Sequence, residues 1–95
     1  MVVQVHELTG FQRDLLYAIA GLDQPSGQQV AAALEAHRGE QITHGRLYPN
    51  LDALVDAGLV EKGELSRRTN YYTLTSDGAT ALRSRREWED DQYEF

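Results

Sequence analysis

The spacing of apolar residues changes at Leu59, and no other feature constrains the fold of this 95-residue chain as strongly. Before Leu59, apolar side chains recur every three or four residues, which is the spacing of amphipathic helices. After it, VEKGEL and TNYYTLT read as two strands separated by SRR, and the second strand alternates polar and apolar faces. We therefore predict helices before this point, a β-hairpin over 59–75, and a last helix after it.

Capping signals bound the predicted helices. The first two open with a polar side chain followed three residues later by glutamine, the spacing of a capping box. The pairs are Thr9 with Gln12 and Ser26 with Gln29, and the helices are predicted over 8–22 and 26–38. Threonines precede the other two, where a side-chain oxygen can accept from the open amides of the first turn. Thr43 opens a helix predicted over 43–57. Thr75 precedes a helix predicted over 76–90, which leads into an acidic tail.

This order of elements is that of a winged helix-turn-helix. We predict a single domain over 1–95 of mainly helical α+β class, with three helices, a two-stranded β-hairpin wing and a C-terminal helix. In such domains the third helix, the recognition helix, enters the major groove of DNA, and the wing contacts the backbone or the minor groove.

Composition argues against several other kinds of protein. The chain has no cysteine, and His6, His37 and His44 share no metal-ligand spacing, so no metal site is expected. No serine or carboxylate pair stands out as a nucleophile with its base, so we expect neither an enzyme nor a cofactor. The apolar stretch LLYAIAGL is too short to cross a bilayer, and the N-terminus lacks the basic start of a signal peptide. We therefore expect a cytoplasmic protein with no membrane partner.

The distribution of acidic residues is more informative than their number. The net charge is -6, whereas a DNA-binding protein is expected to be basic. Three segments nevertheless contain no Asp or Glu: Gln24–Leu34, Gln41–Leu51 and Leu65–Ser76. They are the start of the second helix, the first half of the recognition helix and the wing, the parts that a winged helix presents to phosphates.

The basic residues suggest a salt-rich environment. Lys62 is the only lysine among nine basic residues. An acid-rich, lysine-poor chain is typical of proteins from organisms with a salt-loaded cytoplasm, and the alternative is an ordinary acidic domain. High salt would screen acidic flanks, because the Debye length is about 3 Å at 1 M.

Several motifs follow one another from the third helix to the fourth, in an order that can be compared with known families. They are Tyr48-Pro49, then Leu51 and Leu54, Gly58-Leu59-Val60, Arg67-Arg68, and the return Tyr72, Leu74, Thr75 and Gly78. In this pattern the chain resembles the PadR-like family of transcription regulators over roughly residues 10–82. The resemblance implies a DNA-binding regulator, and it leaves any small-molecule effector unknown. The second helix departs from the family pattern at Ser26–Val30.

Eleven residues are candidate DNA contacts on this interpretation. They are Gln28, Gln29, Thr43, His44, Gly45, Arg46, Tyr48, Pro49, Asn50, Arg67 and Arg68. Arg46 is expected to fork onto a guanine edge or hold a phosphate, with a solvated arginine as the alternative. Gln28 and Gln29 suit phosphate contact beside open amides, or are plain helix surface. The paired arginines suit the backbone or a narrow minor groove, or serve only solubility.

Pro49 stands inside the apolar stripe of the third helix, where proline costs roughly 3 kcal/mol. On a helical wheel it lies opposite Leu47 and Leu51. Its ring crowds the carbonyl of Gly45, four residues earlier, and the flexible backbone of this glycine can absorb the clash. The alternative is a helix that starts later, with Pro49 in its first turn, where proline is tolerated. Both interpretations place glycine and proline on the DNA-facing side.

One winged helix reads only a few base pairs, so a homodimer on double-stranded DNA is expected. The candidates for its interface are Phe11, Leu15, Leu82 and Trp88. Phe11 and Leu15 can equally belong to the core of the single chain. The alternative function is a winged-helix protein-protein interaction module of the transcription machinery, with the acidic tail as contact surface.

Overall fold

The computed structural model describes residues 4–94, so the predicted domain limits at residues 1 and 95 lie outside it. A 3₁₀ turn comes first and is followed by four helices with a hairpin between the last two. The elements are the turn Val5–Glu7, α1 Gly10–Ala20, α2 Gly27–Arg38, α3 His44–Asp56, β1 Val60–Ser66, β2 Thr69–Leu74 and α4 Ser76–Gln92. This is a winged helix-turn-helix, as the change of apolar spacing predicted.

Both predicted capping boxes are present. The side chains of Thr9 and Ser26 accept from the amides of Gln12 and Gln29, at 3.1 and 3.2 Å, and the two glutamines accept in return. The prediction for Thr43 was wrong, because its side chain makes no capping hydrogen bond. The backbone closes that turn instead, since the Thr43 carbonyl accepts from two amides, those of residues 46 and 47.

The strands pair in an antiparallel hairpin with a tight turn. Ser66 pairs with Thr69, so the turn is Arg67-Arg68 rather than the three residues SRR. The register shifts between Glu64 and Ser66, and the side chain of Leu65 is 60% exposed at this bulge. A bulge increases local twist, so the tip of the wing is set at an angle to its base.

The core draws apolar side chains from every helix and from the base of the wing. Its fully covered members include Leu15 and Leu16 from α1, together with Leu47, Leu51 and Leu54 from α3. The predicted apolar face of α3 is therefore the buried one. Packing of this stripe fixes which side of α3 faces outward.

Two hydrogen bonds attach the wing to the helices. The Tyr72 amide in β2 donates to the Pro25 carbonyl at 2.9 Å, just before α2 begins. At the base of the hairpin, the Thr75 hydroxyl donates to the Gly58 carbonyl at 2.7 Å. The start of α2, the end of α3 and the wing are thereby held in one arrangement. Among residues 4–94, no helix has the length and apolar character needed to span a membrane.

Candidate nucleic-acid interface

The outward side of α3 is low and open. The helix begins at His44 and contains Pro49, so the alternative of a late helix start is wrong. Gly45, Arg46 and Pro49 are all exposed. A Cβ atom built on Gly45 would meet nothing within 4 Å. This side of the helix therefore offers backbone that another molecule can approach closely.

One edge of this side is formed by aromatic rings. His44 and Tyr48 meet edge to face with their ring centroids 5.6 Å apart. The Tyr48 ring also lies over Gly27 at the start of α2, where an added Cβ would come within 2.8 Å of it. Gly27 is thus required for the close approach of α2 to α3.

A polar cleft opens beside Tyr48, between the start of α2 and the wing. Its lining residues are Ser26, Gly27, Gln28, Tyr48, Arg68, Thr69, Asn70 and Tyr72. Each of the three acid-free segments contributes to this lining, and no carboxylate does. Burial raises the pKa of the Tyr72 phenol, so that ring adds no negative charge at neutral pH. The cleft therefore suits an anionic ligand group.

The opposite edge of α3 is held by neighbouring elements. The guanidinium of Arg46 lies 4.0 Å from the ring centroid of Phe11, and its Nη1 atom is 3.3 Å from Oε1 of Glu40. Asn50 accepts a hydrogen bond from the side chain of Gln12 in α1 at 3.0 Å. Both candidate base-reading groups on this edge therefore have partners in the chain itself.

The partners of Arg46 belong to a larger ion network. Nε of Arg38 donates to the same Glu40 oxygen at 3.0 Å, and its Nη1 donates to Asp14 at 3.0 Å. The hydrogen bond from Arg38 lowers the pKa of Glu40, and the charges of Arg38 and Arg46 add to this, so Glu40 is ionised at neutral pH. Sequence reasoning missed Glu40 and Gln12 because no local pattern indicates contacts between separate elements.

The remaining predicted DNA contacts lie in different environments. Gln28 is exposed at the cleft, and Arg67 and Arg68 form the exposed turn of the wing. The side-chain oxygen of Gln29 is already bonded to the Ser26 amide at 2.9 Å, so this atom is part of the cap. Thr43 is exposed at the start of α3.

Only one of the four residues predicted for the dimer interface is exposed in the structure. Leu15 has no exposed surface, and Phe11 and Leu82 are buried, at 7% and 8% exposure, so in the single chain these three side chains belong to the core. Their apolar spacing reflected packing between helices. Trp88 is 53% exposed, and the guanidinium of Arg85 lies 4.7 Å from its ring centroid. Of the predicted interface residues, Trp88 alone presents a large apolar surface.

The described part of the chain, residues 4–94, contains no cluster of histidines and carboxylates able to hold a metal ion. Its histidines lie on separate elements: His6 in the first turn, His37 in α2 and His44 in α3.

Comparisons with known proteins are consistent with this geometry. The model of the transcriptional regulator PadR-like family matches residues 15–84. Among solved structures, RosR of H. salinarum grown from NaBr superposes with a TM-score of 0.90 at 43% identity, over 96% of this chain and 82% of that one. The complex hsRosR-S1 gives a TM-score of 0.89 at 44% identity, over 94% and 79% of the two chains.

A more distant structure shares the fold. MarR superposes with a TM-score of 0.66 at 21% identity, over 88% of this chain and 61% of that one. No curated protein matched.

Proposed function

The chain belongs to the PadR-like family of transcriptional regulators, which are not enzymes, and on this premise we propose that it binds specific sites on double-stranded DNA as a homodimer. In this proposal α3 is the recognition helix in the major groove, and the wing lies along the backbone or the minor groove.

The observation that carries the proposal is the convergence of the three acid-free segments. They are separate in the sequence, yet the start of α2, Tyr48 of α3 and the turn of the wing line one cleft. A DNA strand that follows the groove beside α3 would place a phosphate at this cleft. There Arg68 supplies a positive charge, and the side chains of Gln28 and Asn70 supply polar hydrogens.

The residues of α3 have two proposed roles, to allow close approach of the DNA groove and to recognise bases. Gly45 and Pro49 form the low side that allows close approach of the groove, while His44 and Arg46 flank it. Arg46 is the candidate for base recognition, because a guanidinium forks onto the two acceptors of a guanine edge. Arg67 and Arg68 at the wing turn suit the backbone or a narrow minor groove.

Selection of bound duplexes from random DNA, followed by measurement of their dissociation constants, tests the proposal. Arg68→Ala is expected to weaken binding to all sequences by about tenfold, since it removes a phosphate contact. Arg46→Ala should weaken binding to the selected site more than to random DNA. Arg83→Ala removes an exposed arginine from α4, away from the cleft, and serves as the control. Absence of DNA binding by the folded wild type at every salt concentration would contradict the proposal and favour the protein-protein interaction module.

The homodimer is proposed to form through α4. Trp88 is the most exposed apolar side chain on this helix, and Tyr17 of α1 is also partly exposed, at 38%. α1 packs against α4, and burial together with the charge of Glu89 on α4 raises the pKa of Tyr17 there. A partner covering Trp88 would bury a ring of the type that dominates interface energies.

Light scattering at several protein concentrations tests the dimer. Trp88→Ala should shift the wild-type dimer towards monomer without lowering the melting temperature of the domain. Leu65→Ala removes a comparably exposed apolar side chain from the wing and should leave the mass unchanged. A monomeric wild type at working concentration would contradict the dimer proposal.

We also propose that the protein works in a salt-loaded cytoplasm. The acid-rich, lysine-poor composition supports this setting. The proposal assigns no cofactor and no effector.

A further inference from the structure

An alternating chain of charges ends at the recognition helix. Asp14 of α1 pairs with Arg38 of α2, Arg38 pairs with Glu40 in the loop between α2 and α3, and Glu40 pairs with Arg46. The three pairs have nitrogen–oxygen distances of 3.0, 3.0 and 3.3 Å. Glu40 is thus the carboxylate in direct contact with the cation proposed to read bases.

The position of Arg46 in the free protein is set by two contacts. Its guanidinium lies over Phe11, which is 7% exposed, and bonds to Glu40. The side chain of Arg46 is still 44% exposed, so DNA can reach it. The face of the guanidinium keeps an apolar partner, whereas its Nη1 atom donates to the carboxylate.

We propose that Glu40 is a positioning residue that lowers DNA affinity by acting through Arg46: its carboxylate competes with DNA for the guanidinium. This rests on the DNA binding proposed above. Glu40 is a positioning residue that itself needs no contact with DNA. In this proposal, the bond between Nη1 of Arg46 and Glu40 is broken when Arg46 contacts DNA.

The competition imposes the same cost on any DNA group that Arg46 contacts. A phosphate offers two charged oxygens, and a guanine edge offers the acceptors N7 and O6, so the guanidinium fork can bind either. In both cases the pair with Glu40 is given up first. Glu40 therefore weakens every binding mode that uses Arg46, and it weakens binding to the correct site at least as much as binding to random DNA.

The test compares Glu40→Gln with wild type on the selected site and on random duplexes of the same length. Affinity for the selected site should rise about two- to fivefold, the range expected when an exposed ion pair is removed. Affinity for random DNA should rise by the same factor or less. Glu87→Gln on α4 makes the same change in net charge and should leave both affinities unchanged. A thermal melt establishes that each variant is folded.

A second pair of variants separates competition from simple repulsion between Glu40 and phosphates. In an Arg46→Ala background, Glu40→Gln should no longer change affinity for either kind of DNA. An unchanged gain in that background, or no gain for the selected site in the single variant, would overturn the role of Glu40 while leaving DNA binding intact. Loss of DNA binding by the wild type itself would instead overturn the proposed function and this inference with it.

Discussion

Pro49 shows how a single residue inside a helix can be tolerated. It lacks the amide that would donate to the carbonyl of Gly45, so one hydrogen bond of α3 is missing. The next carbonyl, that of Arg46, gains a donor, because the Asn50 side chain bonds to it at 2.7 Å. The exposed position of Pro49 also lets water reach the unpaired carbonyl. Solvation of the Gly45 carbonyl limits the cost of the proline at this site, and the Asn50 bond stabilises the adjacent part of the turn.

Replacement of Pro49 by alanine should separate stability from DNA binding. The new amide can bond to the Gly45 carbonyl, so Pro49→Ala should raise the free energy of unfolding by about 1–3 kcal/mol. Affinity for the selected site should fall, because the open surface of α3 changes shape. Urea unfolding and titration with DNA measure the two effects. A variant that is both less stable and fully active would contradict this account of Pro49.

Gly27 and Gly45 stand in the first turns of neighbouring helices and should respond oppositely to the same substitution. A Cβ on Gly27 would be forced against the Tyr48 ring, so Gly27→Ala should destabilise the domain by about 1–3 kcal/mol. A Cβ on Gly45 meets open space, so Gly45→Ala should stabilise it by about 0.5–1 kcal/mol. Denaturant unfolding compares them directly, and equal effects would show that the Tyr48 contact is unimportant.

Among the elements, the junction of α3, the wing and α4 depends on one side chain. The Thr75 hydroxyl donates to the Gly58 carbonyl at the end of α3 and accepts from the Gly78 amide in the first turn of α4, at 2.7 and 3.0 Å. Gly78 packs so closely on the Leu59 carbonyl that a Cβ has no room there. The wing is thus fixed at its base by contacts with two helices.

Thr75→Ala should lower the free energy of unfolding by about 1–2 kcal/mol, since it removes the helix cap and the bond to Gly58. Thr75→Ser keeps the hydroxyl and should retain most of that stability. Chemical unfolding of both variants is the measurement. Equal losses in the two would assign the effect to the missing methyl group instead.

The elements were more predictable from the sequence than the contacts between them. Capping at Thr9 and Ser26 depends on residues three apart, so a local pattern was sufficient. Leu15 was correctly placed on an apolar face, but spacing alone does not distinguish a core face from a dimer interface. The contact of Glu40 with Arg46 depends on the path of the loop between α2 and α3. No short-range pattern in the sequence encodes that path.

At the scale of the whole molecule, the net charge is -6, yet no acidic residue lines the cleft. On α4, Arg85 and Arg86 pair with Glu89 and Asp90, so much of the charge on that helix is balanced within it. Net charge therefore describes the local field at the cleft poorly. What matters for DNA is the charge within a Debye length, about 10 Å at 0.1 M salt.

The proposed salt-loaded setting predicts unusual salt dependence. An ordinary protein with six phosphate contacts loses on the order of 10⁵ in affinity for each tenfold rise in salt. Here binding should persist at molar potassium chloride with a shallow or reversed slope, because salt screens the acidic flanks as well as the phosphates. Titrations from low to molar salt measure the slope. A steep loss between low and moderate salt would contradict the halophilic setting.

The bond between the Tyr72 amide and the Pro25 carbonyl has a consequence for which DNA can fit. It holds the wing against the start of α2, which packs on Tyr48 of the recognition helix through Gly27, before any duplex arrives. Because the wing does not move relative to the helices, the DNA has to adapt to the protein. Under the proposed binding mode, the duplex bends or changes its groove width. Flexible pyrimidine–purine steps do this at the lowest energetic cost. Base pairs that no side chain touches would then contribute to the choice of site through their stiffness.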